Sequence, residues 1–335
     1  MQDKINFKEK VFSKEYDFLH QLPLKDNVIL MVASGSYGYG TNIGTSDIDF
    51  RGVCIEPKES LLGFKQFEQF EELKTDTVIY GIKKFLQLCL NANPNCLEIL
   101  GAHEENIVIL FDLGQTLLDN KHLFLSKRVV QSFGNYATAQ LRRLQNALAR
   151  DSYPQIEKET HILNALTRQL DHFSRMYSAF DDNEIKLYID DSAKDGFEKE
   201  IFMDINLVHY LLRDFKNIHS EMSNVVKDYE KLNHRNRKKD DFHLNKHAMH
   251  LIRLLLTGID ILEGKGINTY RKEEKNFLLD NRNGRYTYPE IFKLVDDYEL
   301  RFEEAARNTT LPNEPDHVKT EQLMMETYEK FLKIR

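Results

Sequence analysis

The run Gly35-Ser36-Tyr37-Gly38-Tyr39-Gly40 stands shortly before Ser46-Asp47-Ile48-Asp49-Phe50-Arg51-Gly52-Val53. A turn rich in Gly and Ser can aim backbone N–H groups at phosphate oxygens. Two carboxylates two residues apart on one strand face, beside such a turn, suit a hard divalent cation. Together they imply a metal-dependent nucleotide-binding site, with Gly35, Ser36, Tyr37, Ser46 and Arg51 as nucleotide contacts. Each part has a plainer reading. The glycines alone could make any tight turn, Ser46 could close a local hydrogen bond, and Arg51 could balance the aspartates instead of reaching a phosphate. Asp is disfavoured in strands, so a pair in an otherwise apolar one favours the functional reading.

These residues need elements to hold them. The apolar run Val28-Ile29-Leu30-Met31-Val32-Ala33 leads into the glycine turn and predicts a buried strand. Further strands are expected over 47–55, 67–73 and 75–82, with helices over 8–22 and 83–91. After about residue 120 the periodicity turns helical, over 129–150, 161–180, 207–229, 244–263, 288–306 and 320–332. A β-hairpin over 184–189 and 200–205 interrupts it, and 233–241 reads as a charged loop. The expected organisation is an α+β catalytic domain over residues 1–120 and a mostly helical domain over 121–335. On the helix over 244–263, Lys246, His250 and Arg253 share one broad side, an electropositive wall for a triphosphate or a nucleic-acid end. His243 and His247 lack a third ligand at metal-site spacing. Asn93-Pro94-Asn95 reads as a helix stop and restart, which leaves the role of Glu98 open.

The Gly-Ser turn followed by Asp-x-Asp resembles the signature of the DNA polymerase β nucleotidyltransferase superfamily. The blocks Asp76-Thr77-Val78-Ile79-Tyr80, Lys83-Lys84-Phe85-Leu86, Asn93 to Leu100, Lys246 to Leu255, Asn281-Arg282-Asn283-Gly284 and Leu311-Pro312 narrow it. In that order they resemble the RlaP-type (YcgL-like) predicted nucleotidyltransferases. The resemblance implies a polymerase β-like fold with a small mixed sheet. It also implies three carboxylates, Asp47, Asp49 and Asp76, around magnesium, with manganese as an alternative. Glu71 and Glu72 are rivals for the third place, and Gly81 stands where relatives often carry an acidic residue. The implied reaction moves a nucleoside monophosphate from a triphosphate, ATP favoured, to a hydroxyl acceptor, with an RNA or tRNA end first among acceptors. A protein or small-molecule acceptor, or a silent nucleotide- or RNA-binding regulatory module, is the alternative.

Composition restricts the partners. With 41% hydrophobic and 30% charged residues, the 335-residue chain has the balance of a globular protein with room for two domains. The net charge of −7 argues against non-specific coating of nucleic acid, while leaving room for a local basic patch. Three cysteines without Cys-x-x-Cys spacing give neither a zinc ribbon nor a disulfide framework. No run of about eighteen apolar residues occurs, so no membrane span is expected. The start of the chain does not read as a signal peptide, and the expected location is the cytoplasm.

Overall fold

The computed structural model describes residues 6–150, 159–160, 162–164, 166–168, 185–193, 199–235 and 241–334. The fold class is α+β. A five-stranded mixed sheet contains β1 (Val28–Ala33), β2 (Phe50–Cys54), β3 (Gln69–Glu72), β4 (Thr77–Gly81) and β5 (Ile107–Leu110), in the order β3-β4-β2-β1-β5. β1 is antiparallel to β2 and β5, whereas β2 and β4 run parallel. All six residues of β1 are buried, which is why its sequence is continuously apolar rather than alternating.

One core gathers Met31, Phe50, Cys54 and Ile79 of the sheet with Val11, Tyr16, Leu19 and Leu24 of the N-terminal segment. Tyr16 meets Phe50 edge-on at 5.3 Å between ring centroids. The helix expected over 8–22 is broken into Phe7–Lys10 and a 3-10 turn over Lys14–His20. Val11, Tyr16 and Leu19 are buried together in this core across the break. Burial raises the Cys54 and Cys89 thiols well above the usual range and takes Cys96 to about 12. All three cysteines are free, buried thiols.

The chain forms two compact units rather than dividing once near residue 120. The first comprises residues 1–136, 252–281 and 285–335, and the second 137–251 and 282–284. Within the first, the helix His317–Ile334 returns to pack on the helix Ile82–Leu90, a long-range contact that periodicity does not reveal. In the second, an antiparallel hairpin pairs Ile185–Asp191 with Lys199–Ile205, as expected from its alternation. Ile185 and Ile218 form a small core there with Leu187, Leu207, Tyr210 and Met222. The helix expected over 161–180 lies partly outside the described residues. Of the charged loop expected over 233–241, residues 236–240 lie outside them, whereas 233–235 belong to the helix Leu212–Arg235 and Asp241 opens the helix Asp241–Leu262. Among the described residues no helix is long and apolar enough to cross a membrane.

Candidate functional site

The site grows from the exit of β1. Ser34 donates its N–H to the Asp49 carbonyl at 2.8 Å, then the chain turns into the short helix Gly35–Gly38. The first helical bond comes from Gly38 N to Ser34 O. The N–H groups of Gly35, Ser36 and Tyr37 therefore have no acceptor within the helix, the general condition of a helix start. Gly35 has φ +56°, and a Cβ there would overlap Asp49 Oδ2. Only glycine allows the carboxylate to lie against the turn at so short a range. We expect Gly35→Ala to lower stability by at least about 1–2 kcal/mol from the left-handed backbone alone. It should also push the Asp49 carboxylate off the turn. Urea denaturation checks the first effect, and the Asp49 side-chain position in a crystal structure of the variant checks the second.

Asp47 and Asp49 do not lie within a strand, contrary to the span 47–55 expected above. β2 begins at Phe50, and Asp47 and Asp49 occupy the extended segment leading into it, Asp47 exposed and Asp49 half-buried. Weak strand propensity of Asp fits their position outside the ladder. Ser46 Oγ accepts the Ile43 N–H at 2.8 Å and so closes the intervening loop. Tyr37 meets Phe7 edge-on at 5.4 Å, which anchors the turn to the N-terminal segment.

The β2–β4 register pairs Phe50 with Thr77, which sets Asp76 beside the end of β2 that Asp49 precedes. Asp76 has φ +43° in the turn between β3 and β4. Arg51 holds it there: Nη2 lies 2.8 Å from Asp76 Oδ1, and Nη1 donates to the carbonyls of Asp76 and Phe50. Of the two roles open to Arg51, this structure displays charge balance. Glu71 and Glu72 lie opposite Val78 and Thr77 on β3.

Among the described residues no three His, Cys, Asp or Glu side chains are gathered as a metal site. The three-carboxylate cage is thus not assembled, and the Arg51 guanidinium occupies the third carboxylate. The remaining pair still fits magnesium, which is commonly held by one or two carboxylates together with substrate phosphates. Asp47 and Asp49 are hard oxygen donors of that kind, and the packing of Asp49 on Gly35 puts one of them against the turn.

Behind the turn lies a charged cluster that sequence reasoning did not assemble. Arg253, expected in a solvent-facing wall, is largely buried, with 12% of its side chain exposed. Its guanidinium stacks 3.5 Å from the centroid of Tyr39 and lies 3.6 Å from the buried Glu98 carboxylate. Burial raises the Tyr39 phenol well above its ordinary range. Arg271 donates its N–H to the Tyr39 carbonyl at 3.3 Å, while its side chain reaches Asp260 at 2.6 Å and Thr257 at 3.1 Å. Asn106 donates to the carbonyls of Tyr37 and Gly38 at 3.3 and 3.5 Å. Side chains distant in sequence therefore fix the glycine turn from beneath. Lys246 and His250, the other members of the expected wall, are half-buried or nearly so and belong to the second unit, whereas Arg253 belongs to the first. The helix over 94–100 is capped by Asn93, whose side chain accepts the Cys96 N–H at 3.3 Å, and it carries Glu98 into the cluster.

No curated protein and no solved structure matches the chain. A family model does match, over residues 1–172, and it is that of RlaP, the RNA repair pathway DNA polymerase beta family. Because the match covers just over half of the chain, including the glycine turn, Asp47, Asp49, Asp76 and Glu98, the chain belongs to that family.

Proposed function

We propose that this chain is a magnesium-dependent nucleotidyltransferase acting on an RNA end. Its family description, an RNA repair pathway DNA polymerase beta family, supports the reaction class. The observation that carries the reading is the packing of the Asp49 carboxylate against Gly35 at the exit of β1. It joins a phosphate-binding turn to an acidic group in one place.

The N–H groups of Gly35, Ser36 and Tyr37 orient the β- and γ-phosphates of the triphosphate, ATP in the first instance, with Ser46 beside them. Asp47 and Asp49 would hold magnesium or manganese, with Asp76 as the third carboxylate. When bound, the cation neutralises phosphate charge and favours ionisation of the acceptor hydroxyl. That oxygen forms a bond to the α-phosphorus as the bond to the bridging oxygen breaks. The hydroxyl proton is lost to solvent, pyrophosphate leaves, and a nucleoside monophosphate stays on the acceptor. The chain contributes position and charge neutralisation and forms no covalent intermediate.

The test is incubation with each of the four α-labelled triphosphates, magnesium or manganese, and total RNA that includes tRNA. Label in RNA is the expected result. Label in protein or in a small molecule would replace the acceptor. Triphosphate binding with no label transfer to any acceptor would instead fit a silent nucleotide-binding module, a reading that the Arg51–Asp76 pair favours.

A further inference from the structure

The first unit holds a cavity of about 540 Å³, lined by both polar and apolar side chains, away from the carboxylates. It opens where Glu56 follows β2 and Gly81 ends β4, whereas Asp49 and Asp76 precede these two parallel strands. At about 3.3 Å per residue, the seven positions from Asp49 to Glu56 separate the two places by roughly 20 Å.

The floor of the cavity is already satisfied. Glu56 is buried, accepts the Lys83 N–H at 3.0 Å and the Tyr328 hydroxyl at 2.8 Å, and so caps the helix Ile82–Leu90, whose own N-cap is Gly81. Lys84 is paired with Glu68 at 3.1 Å. The rim is different. Among the described residues the ammonium groups of Lys65 and Lys83, both on exposed residues, have no ion-pair partner. Between the lining residues Leu62 and Lys65, Phe64 is fully exposed and Leu62 is 67% exposed. A bare aromatic ring flanked by unpaired cations combines base stacking with phosphate neutralisation, the two components of single-strand nucleic-acid binding. A purely apolar partner would leave both lysines without a counter-charge, and a small inorganic anion would have no use for Phe64.

Val78 and Tyr80 share one face of β4, Arg51 lies opposite Val78 on β2, and Asp76 stands in the turn that precedes β4.

We propose that this cavity and its rim hold a single-stranded segment of the RNA acceptor upstream of its reacting end, with a base on Phe64 and phosphates on Lys65 and Lys83. The proposal rests on transfer to RNA as read above and adds where that RNA lies.

The test uses fluorescent oligoribonucleotides with free 3′-hydroxyl ends, a decanucleotide and a dinucleotide, in anisotropy titrations over a range of salt. Phe64→Ala should weaken decanucleotide binding by about 5- to 150-fold, the range for loss of one stacked base. Lys65→Gln/Lys83→Gln should weaken it too and should reduce the salt slope by about 1.4, at about 0.7 per phosphate contact on a single strand. The dinucleotide, with one internucleotide phosphate and too short to span the two places, should bind the wild type more weakly than the decanucleotide does. The control Lys14→Gln/Lys25→Gln makes the same charge change elsewhere and should bind as wild type. Wild-type decanucleotide affinity in both cavity variants would overturn the proposal, even if label transfer to RNA is found. An equal loss in the control would reduce the lysine effect to net charge and overturn it as well. Binding that depends on Phe64 and the lysines, with no transfer to any acceptor, would support the RNA site and count against the transferase reading alone.

Discussion

The Asp47→Asn/Asp49→Asn variant is expected to fold as the wild type does and to transfer nucleotide at less than about a thousandth of the wild-type rate. Removing a single electrostatic group from a reaction of developing charge costs about 10²–10³-fold. Here both donors that fit a cation are removed together. Folding should survive because Asp47 is exposed, Asp49 is half-buried, and neither lies within a strand ladder. Asn keeps the volume of Asp and removes repulsion between two neighbouring carboxylates. The melting temperature without metal should therefore stay within a few degrees of wild type or rise slightly. Single-turnover rates with labelled triphosphate and a thermal melt are the two measurements. Wild-type transfer by the double variant would remove both carboxylates from the chemistry. Loss of transfer together with a collapsed melt would mean that they serve the fold.

The legibility of this chain depended on how local the determinant was. β1 could be read because a strand between two others is buried on both faces and shows as an unbroken apolar run. The hairpin of the second unit could be read from period-two alternation. β5 was not expected: Ile107–Leu110 is only four residues long, and a short apolar run fits a helix equally well. The Gly35–Asp49 approach was legible as two motifs in sequence order, but their contact follows from backbone pairing of Ser34 with Asp49. Arg253 shows the limit most clearly. Its spacing from Lys246 and His250 identifies a side of a helix, yet periodicity says nothing of depth. Whether a cation on that side meets water or a buried carboxylate is decided by Glu98 and Tyr39, more than 150 residues earlier in the chain. Arg51 had two open roles for a similar reason, since its choice depends on the register of β2 against β4.

That burial changes what substitution of Arg253 should do. An exposed phosphate-binding arginine, replaced by Met, would leave stability nearly unchanged and reduce the salt dependence of nucleic-acid binding. The structure supports the opposite pattern. Arg253→Met leaves the Glu98 carboxylate buried without its counter-charge, for which the usual cost is about 3–5 kcal/mol. The stack on Tyr39 is lost as well. Glu98→Leu alone should be comparably destabilising, because it isolates the guanidinium instead. The double variant Arg253→Met/Glu98→Leu should recover much of the loss, since no lone charge stays buried and both new side chains are apolar. Denaturant titrations of the four proteins form the double-mutant cycle. Independent, additive effects would show that the pair does not act as a unit. A recovered double variant that still transfers nucleotide slowly would assign Arg253 a positioning role. Its guanidinium lies on Tyr39, and the Tyr39 carbonyl is held by Arg271, so the glycine turn would be folded but no longer fixed beneath the phosphates.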